Sequence, residues 1–341
     1  MTPSEGPPGL DPDALGAWFA AEIPGAGDHL RATLIAGGKS NLTYVVTDGA
    51  QEWIVRRPPL GHVLATAHDM AREYRVMTAL QGTGVPVPRT FAMCTDPAVL
   101  GADFYVMQRC SGTPYRRAAE LAPLGPERTR VISERLVDTL ATLHAVEPAA
   151  VGLSDFGRPD GFLGRQVRRW KAQLDASHSR DLPAADELQR QLSARVPAES
   201  AAGIVHGDFR LDNVLVADDD RVTAVLDWEM ATLGDPLTDL ALMLVYFRLG
   251  AGGVSEVSDV STAPGFLDER AVIERYSRSS DRDMSGFGFY LGLAAFKLAA
   301  ILEGIHFRHL KGQTVGAGFD QIGDAIHPLL DAGLAALKET P

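Results

Sequence analysis

His206-Gly207-Asp208-Phe209-Arg210-Leu211-Asp212-Asn213-Val214-Leu215-Val216 is the stretch on which the reading of this 341-residue chain turns. A carboxylate, Asp208, is followed by a carboxamide, Asn213, and then by an apolar run that reads as a strand. Asp218-Asp219-Asp220 makes a tight turn and Val222–Leu226 reads as the returning strand. Leu226-Asp227-Trp228-Glu229 closes the unit, with Asp227 fourteen residues after Asn213. A hairpin of that length brings Asp227 back to the side of Asn213. Asp208 is suited to orient a hydroxyl and accept its proton. Asn213 and Asp227 offer the oxygen ligands that Mg²⁺ requires.

This order and spacing resemble the aminoglycoside phosphotransferase (APH)/choline kinase-like branch of the protein-kinase-like superfamily. There His-Gly-Asp-x-x-x-x-Asn, a strand and then Asp stand for the kinase H-R-D-x-x-x-x-N and D-F-G pair. The resemblance implies an α+β, bilobal fold. Residues 1–110 would form a small antiparallel-sheet lobe with one helix, and 111–341 a larger, mainly helical lobe. It also implies an ATP-dependent phosphotransferase acting on a small-molecule hydroxyl, with ATP bound between the lobes. Asp208, Arg210 and Asn213 would be catalytic, and Asn213 and Asp227 would hold Mg²⁺. His206 and Asp239 would support the loop backbone.

Upstream of this stretch the pattern is strand-rich. Leu34–Val46 reads as strand, glycine turn, strand, and Asp48-Gly49 is a hairpin signal between Tyr44–Thr47 and Trp53–Arg56. A helix is expected over about 67–80, then strands at Thr90–Met93 and Phe104–Gln108. The turn Gly37-Gly38-Lys39-Ser40-Asn41 could cover phosphates: glycines let backbone N–H groups approach anionic oxygens, and Ser40 and Asn41 add donors. It is not a P-loop, because the first P-loop glycine would fall at Thr33 and a strand follows. Arg56 stands where the family strand usually carries a phosphate-binding lysine. A guanidinium can still grip two phosphates. Glu73 is the chosen helix carboxylate for Arg56, ahead of Asp69 and Glu52. Met107 would sit beside the adenine, with backbone from Gln108 to Cys110 along its edge.

Beyond Ser111-Gly112-Thr113-Pro114 the pattern turns helical, with Val131, Leu136, Leu140 and Leu143 on one face. Further helices are expected near 161–176, 184–195, 236–249, 268–279, 285–310 and 319–338. His144 lies in an apolar run and reads as a packed histidine rather than a base. Glu303-x-x-His306 imitates half of a di-iron motif whose second copy is absent.

Hydrophobic residues at 45% and charged residues at 22% exclude a disordered or collagen-like chain. The net charge of −12 argues against nonspecific attraction to nucleic acid or an anionic membrane. Two cysteines, Cys94 and Cys110, form no C-x-x-C pair. The first residues lack a signal-peptide pattern, and Lys297 and Glu303 interrupt the apolar stretch 287–305, so a cytoplasmic protein is expected. Nothing in the sequence sets an oligomeric state.

His-Gly-Asp-Phe-Arg-Leu-Asp-Asn, Leu-Asp-Trp-Glu-Met-Ala-Thr-Leu-Gly-Asp-Pro and the segment 296–305 further resemble the kinase-like domains related to those fused to acyl-CoA dehydrogenases. Two cues on the acceptor oppose each other. The chain beyond Cys110 carries a net −9, which suits a cationic aminoglycoside or another amino alcohol. Arg165, Arg168 and Arg169 stand at i, i+3, i+4 and could bind an anionic acceptor such as a hydroxyacyl-CoA. Glu229 is placed with these acceptor residues. The alternative reading is a catalytically weak pseudokinase that binds nucleotide or acts as an interaction module, kept open by Arg56.

Overall fold

The structure is a computed structural model that describes residues 6–27, 29–35, 41–61, 69–177, 179–198, 201–252, 258–314, 319 and 321–338. The chain divides into two compact units, one of residues 1–112 and 223–231, the other of residues 113–222 and 232–341.

The first unit runs α1 (Pro12–Glu22), β1 (Arg31–Leu34), β2 (Leu42–Thr47), β3 (Glu52–Arg57), α2 (Met70–Leu80), β4 (Thr90–Cys94), α3 (Pro97–Leu100) and β5 (Phe104–Gln108). The strands form one antiparallel sheet in the order β1-β2-β3-β5-β4. Period-2 alternation decides its two faces. Tyr44, Val46, Trp53, Val55, Phe104 and Val106 turn to one face and pack against Leu15 and Phe19 of α1. Trp18 meets Phe104 and Phe19 meets Trp53 edge-on, at centroid distances of 4.8 and 5.5 Å. Each large side chain buried there contributes roughly 2–3 kcal/mol. On the other face β3 and β5 are in a register that sets Arg56 opposite Tyr105 and Ile54 opposite Met107. α1 starts at Pro12 because the Asp11 carboxylate accepts from the amides of Asp13 and Ala14 and Pro12 opens the first turn. α2 likewise starts behind a cap, Asp69, which accepts from Arg72 N at 2.9 Å.

The second unit contains α4 (Ala118–Leu121), α5 (Gly125–Ala145), α6 (Phe162–Ser177), α7 (Pro183–Ala194), β6 (Gly203–Val205) and β7 (Val214–Val216). β8 (Val222–Val225) starts at the junction of the units. The second unit resumes with β9 (Thr232–Gly234), α8 (Leu237–Ala251), α9 (Glu269–Ser279), α10 (Phe287–Leu310) and α11 (Ile326–Ala336). α10 is its central helix, packed by α6, α8 and α11. Among the described residues it is the one helix long and apolar enough to cross a membrane, and most of that stretch is buried inside the unit. β9 was not foreseen from the sequence. It pairs antiparallel with β6, Ile204 facing Leu233, and this short ladder fixes both ends of the segment that carries Asp208.

The unit boundary differs from the expected 1–110 and 111–341. By its contacts, 223–231 belongs to the first unit. Thr223 Oγ1 donates to Ser111 O at 2.5 Å and Val225 N to Pro86 O at 2.8 Å. The guanidinium of Arg72 reaches Ala231 O through Nε and Nη2 at 3.1 and 3.0 Å. Asp227 and Glu229 are therefore held among the strands and α2.

Candidate active site

In the first unit, the charges gather around Arg56. Its Nε lies 3.0 Å from Glu73 Oε2, and its Nη2 lies 2.8 Å from Asp227 Oδ1 and 4.0 Å from Glu229 Oε2. Glu73 comes from the inward face of α2 and its side chain is 2% exposed. The cross-strand neighbour Tyr105 donates its hydroxyl to Glu73 Oε2 at 2.8 Å. Asn41 Nδ2 donates to Glu73 Oε1 at 3.1 Å and to Glu229 Oε2 at 3.4 Å. Burial pushes the Glu73 carboxyl up to about 7, against the pull of Arg56 and of the Tyr105 hydroxyl. Asp227 stands at φ 64°, ψ 62°, a left-handed conformation that costs a non-glycine residue. Trp228 holds it there, fully buried, with its indole N–H on Val225 O at 3.0 Å.

In the second unit the loop between β6 and β7 is pinned from beneath. Asp239, on the first turn of α8, accepts His206 N at 2.6 Å and Gly207 N at 2.7 Å. Its Oδ2 also lies 3.3 Å from His144 Nε2, and His144 Nδ1 lies 2.7 Å from the Tyr276 hydroxyl. The whole chain of groups is buried. Gly207 takes φ 89°, open to glycine without strain, and sends the backbone round to Asp208. Asn213 Nδ2 then donates to Asp208 O at 2.8 Å and to Asp208 Oδ2 at 3.0 Å. Arg210 pairs with Asp212 at 3.0 Å, approaches Asp208 Oδ2 at 3.5 Å, and lies 4.7 Å over the ring of Tyr246. Tyr246 also bonds to Asp208, and burial foremost raises its phenol.

The remaining expected residues separate. Gly38 and Ser40 lie outside the described residues. Met107 is buried in β5, Gln108 is exposed with its Oε1 accepting Arg89 N at 3.3 Å, and Cys110 is a partly buried free thiol. Arg165 does not join a three-arginine face: its guanidinium closes onto the carbonyls of Asp160 and Arg158. Arg168 and Arg169 are exposed on α6. Glu229, expected beside the acceptor, is bound into the Arg56 group instead. Glu303 is no metal ligand. It is fully buried and accepts Ser179 N and Oγ, both at 2.7 Å, and Arg180 Nη2 at 3.2 Å. Sequence reasoning treated Lys297 as an interruption of an apolar helix, yet its Nζ donates to Gly207 O at 2.7 Å. The signal was there: a lysine inside a buried helix needs a partner.

An antiparallel sheet with its braced cation, and a helical unit with its pinned acidic loop, are the parts of a kinase-like fold. The profile of the phosphotransferase enzyme family (APH) matches residues 31–271. A candidate aminoglycoside phosphotransferase from Ralstonia eutropha JMP134 has a similar structure, with a TM-score of 0.86 at 33% identity, covering 97% of this chain and 99% of its own. Acyl-CoA dehydrogenase family member 11 from Gallus gallus is 36% identical over 313 residues, 89% of this chain, of which the match spans only 40% of that relative's length. The aminoglycoside phosphotransferase APH(4)-Ia, in a ternary complex with AMP-PNP and hygromycin B, shares the fold at 15% identity with a TM-score of 0.62. The chain belongs to the APH phosphotransferase enzyme family.

Proposed function

We propose that this chain transfers the γ-phosphoryl group of ATP to a hydroxyl of a small molecule. The observation that carries the reading is the setting of Asp208. Its loop amides are locked by Asp239, and its own carbonyl and carboxylate are locked by Asn213. A carboxylate fixed in this way keeps lone pairs for an acceptor hydroxyl. The acceptor oxygen attacks the γ-phosphorus, the bond to ADP breaks, and the hydroxyl proton passes to Asp208. Arg56, braced by Glu73, grips the phosphates. Met107 with backbone 108–110 seats the adenine.

Asn213 and Asp227 each suit Mg²⁺ by the chemistry of their own oxygens. Asn213 spends its N–H₂ on Asp208, which leaves its amide oxygen as a hard ligand. Asp227 keeps a part-exposed carboxylate with an electrostatic partner already beside it. Asn213 and Asp227 would hold the ion, and bound Mg²⁺ neutralises charge on the phosphates.

A coupled ADP-release screen of aminoglycosides, amino alcohols and hydroxyacyl thioesters tests the reading. Asp208→Asn is expected to lower turnover about 10²–10⁴-fold while ATP affinity holds. Unchanged turnover removes Asp208 from its role. A second reading, a weak pseudokinase, is favoured by one contact. Arg56 Nη2 holds Asp227 Oδ1 at 2.8 Å and competes with a cation for that oxygen. Mg²⁺-dependent ATP hydrolysis above background by the purified protein argues for the enzyme; nucleotide binding without hydrolysis or transfer argues for the pseudokinase.

A further inference from the structure

A cationic pair beside the Asp208 loop has no part in the chemistry above. Lys297 of α10 has its Nζ 5.4 Å from the ring centroid of Trp170, while donating to Gly207 O. Arg169, the neighbour of Trp170 on α6, has its guanidinium carbon 5.3 Å from the same ring. Two positive groups thus share one buried indole, and the charge of Arg169 opposes that of Lys297. Among the described residues Lys297 gives one of its three N–H groups to an acceptor, and Arg169 has no carboxylate partner.

The nearby acids are committed elsewhere. Glu303 on α10 is taken by Ser179 and Arg180. Asp175 on α6 is taken by Lys171, and Asp239 by two loop amides and His144. Asp208 is the remaining carboxylate that Lys297 senses, and it is bonded to Asn213. Burial works to deprotonate Lys297, and Arg169 works the same way. The desolvated Lys297 ammonium, with the Arg169 charge beside it, is stabilised when an anion completes the set. The net −9 of the chain beyond Cys110 does not oppose this, because charges beyond roughly 8 Å are screened in physiological salt.

We propose that Lys297 and Arg169, both beside the Trp170 ring, form an anion-binding subsite for the acceptor, which is a hydroxylated small molecule carrying a carboxylate or phosphate group. The proposal rests on the reading of Asp208 as the residue that receives the acceptor's proton. It places the acceptor's charge beside the loop that presents its hydroxyl to Asp208. It disfavours a polycation.

The test uses the purified full chain and matched probes: ω-hydroxycarboxylates of increasing length, their neutral amides, glycerol phosphate, and kanamycin. ADP release and calorimetric binding are both read. Anionic probes are expected to surpass their amides. Arg169→Gln should raise KM or Kd for the anion about 10-fold or more, one charge-assisted hydrogen bond, and leave the amide unchanged. Lys297→Met should abolish the anion preference, and Lys297→Arg should restore it in part. The carboxylate and phosphate arms identify which anion the pair selects. Kanamycin as the best probe overturns the proposal, as does an anion-to-amide ratio that Arg169→Gln leaves unmoved. Absence of turnover with every probe defeats the phosphotransferase reading alone. Calorimetry then decides the subsite: charge-selective binding lost in Arg169→Gln supports it, and equal binding of anion and amide overturns it.

Discussion

Glu73 meets two opposed demands. It must stay anionic to brace Arg56, yet it is buried and shares its surroundings with Asp227 and Glu229. Its folded pKa of about 7 lies above the ordinary 4.5, so the folded chain holds a proton that the unfolded chain has released. The stability tied to Glu73 is therefore complete below about pH 4.5 and drains away as pH rises toward 7, by about 3 kcal/mol. Glu73→Gln removes that drain. Urea midpoints measured from pH 5 to 8 should fall for the parent relative to the variant, and parallel curves would show that Glu73 is ionised throughout. The same variant frees Arg56 and should weaken ATP binding. The choice of Glu73 over its neighbours was legible only in part. Nearness in sequence could not separate it from Asp69 or Glu52. The structure does so by giving Asp69 to the α2 cap and Glu52 to an exposed pair with Arg109 at 2.5 Å.

Among the elements, the short ladder β6–β9 and the start of α8 hold the Asp208 loop from two sides. Asp239 is the joint. Burial acts to raise its carboxyl, but His144 and the loop amide of Gly207 win and hold it below the usual carboxylate value. Its contribution is thus present above pH 3.8 and lost as pH falls through the lower folded value. Asp239→Asn turns an acceptor into a donor facing amide N–H groups. It should cost about 2–4 kcal/mol at pH 7, less at pH 3, and lower turnover through a loosened loop. Urea titrations at both pH values check this; an equal cost at each would assign the effect to packing. Asp239 followed from the family resemblance, whereas Asp208 and Asn213 could be picked from one stretch of sequence, since local spacing encodes them. β9 could not, being three residues, Thr232-Leu233-Gly234, without alternation. Lys297 over Trp170 and His144 on Tyr276 were equally hidden, because each joins helices more than a hundred residues apart.

For the molecule as a whole, the chain path matters more than the order of motifs suggests. The first unit is discontinuous: it takes 223–231 back after the chain has built half of the second. That return supplies Trp228 to its interior, Ala231 O to Arg72, and Asp227 to Arg56. A sheet domain of this size carries only about 5–15 kcal/mol of net stability, and a buried tryptophan alone is worth about 3–5 kcal/mol. Residues 1–112 expressed alone should therefore lack a cooperative thermal transition. The cure is topologically simple, because Thr223 Oγ1 sits 2.5 Å from Ser111 O. A chain of 1–112, a four-glycine linker and 223–231 should melt cooperatively, and Trp228→Ala in that fusion should remove the gain. Circular dichroism melts of the three chains decide the matter: if 1–112 already melts as sharply as the fusion, the returning segment adds side chains to a finished unit rather than completing it.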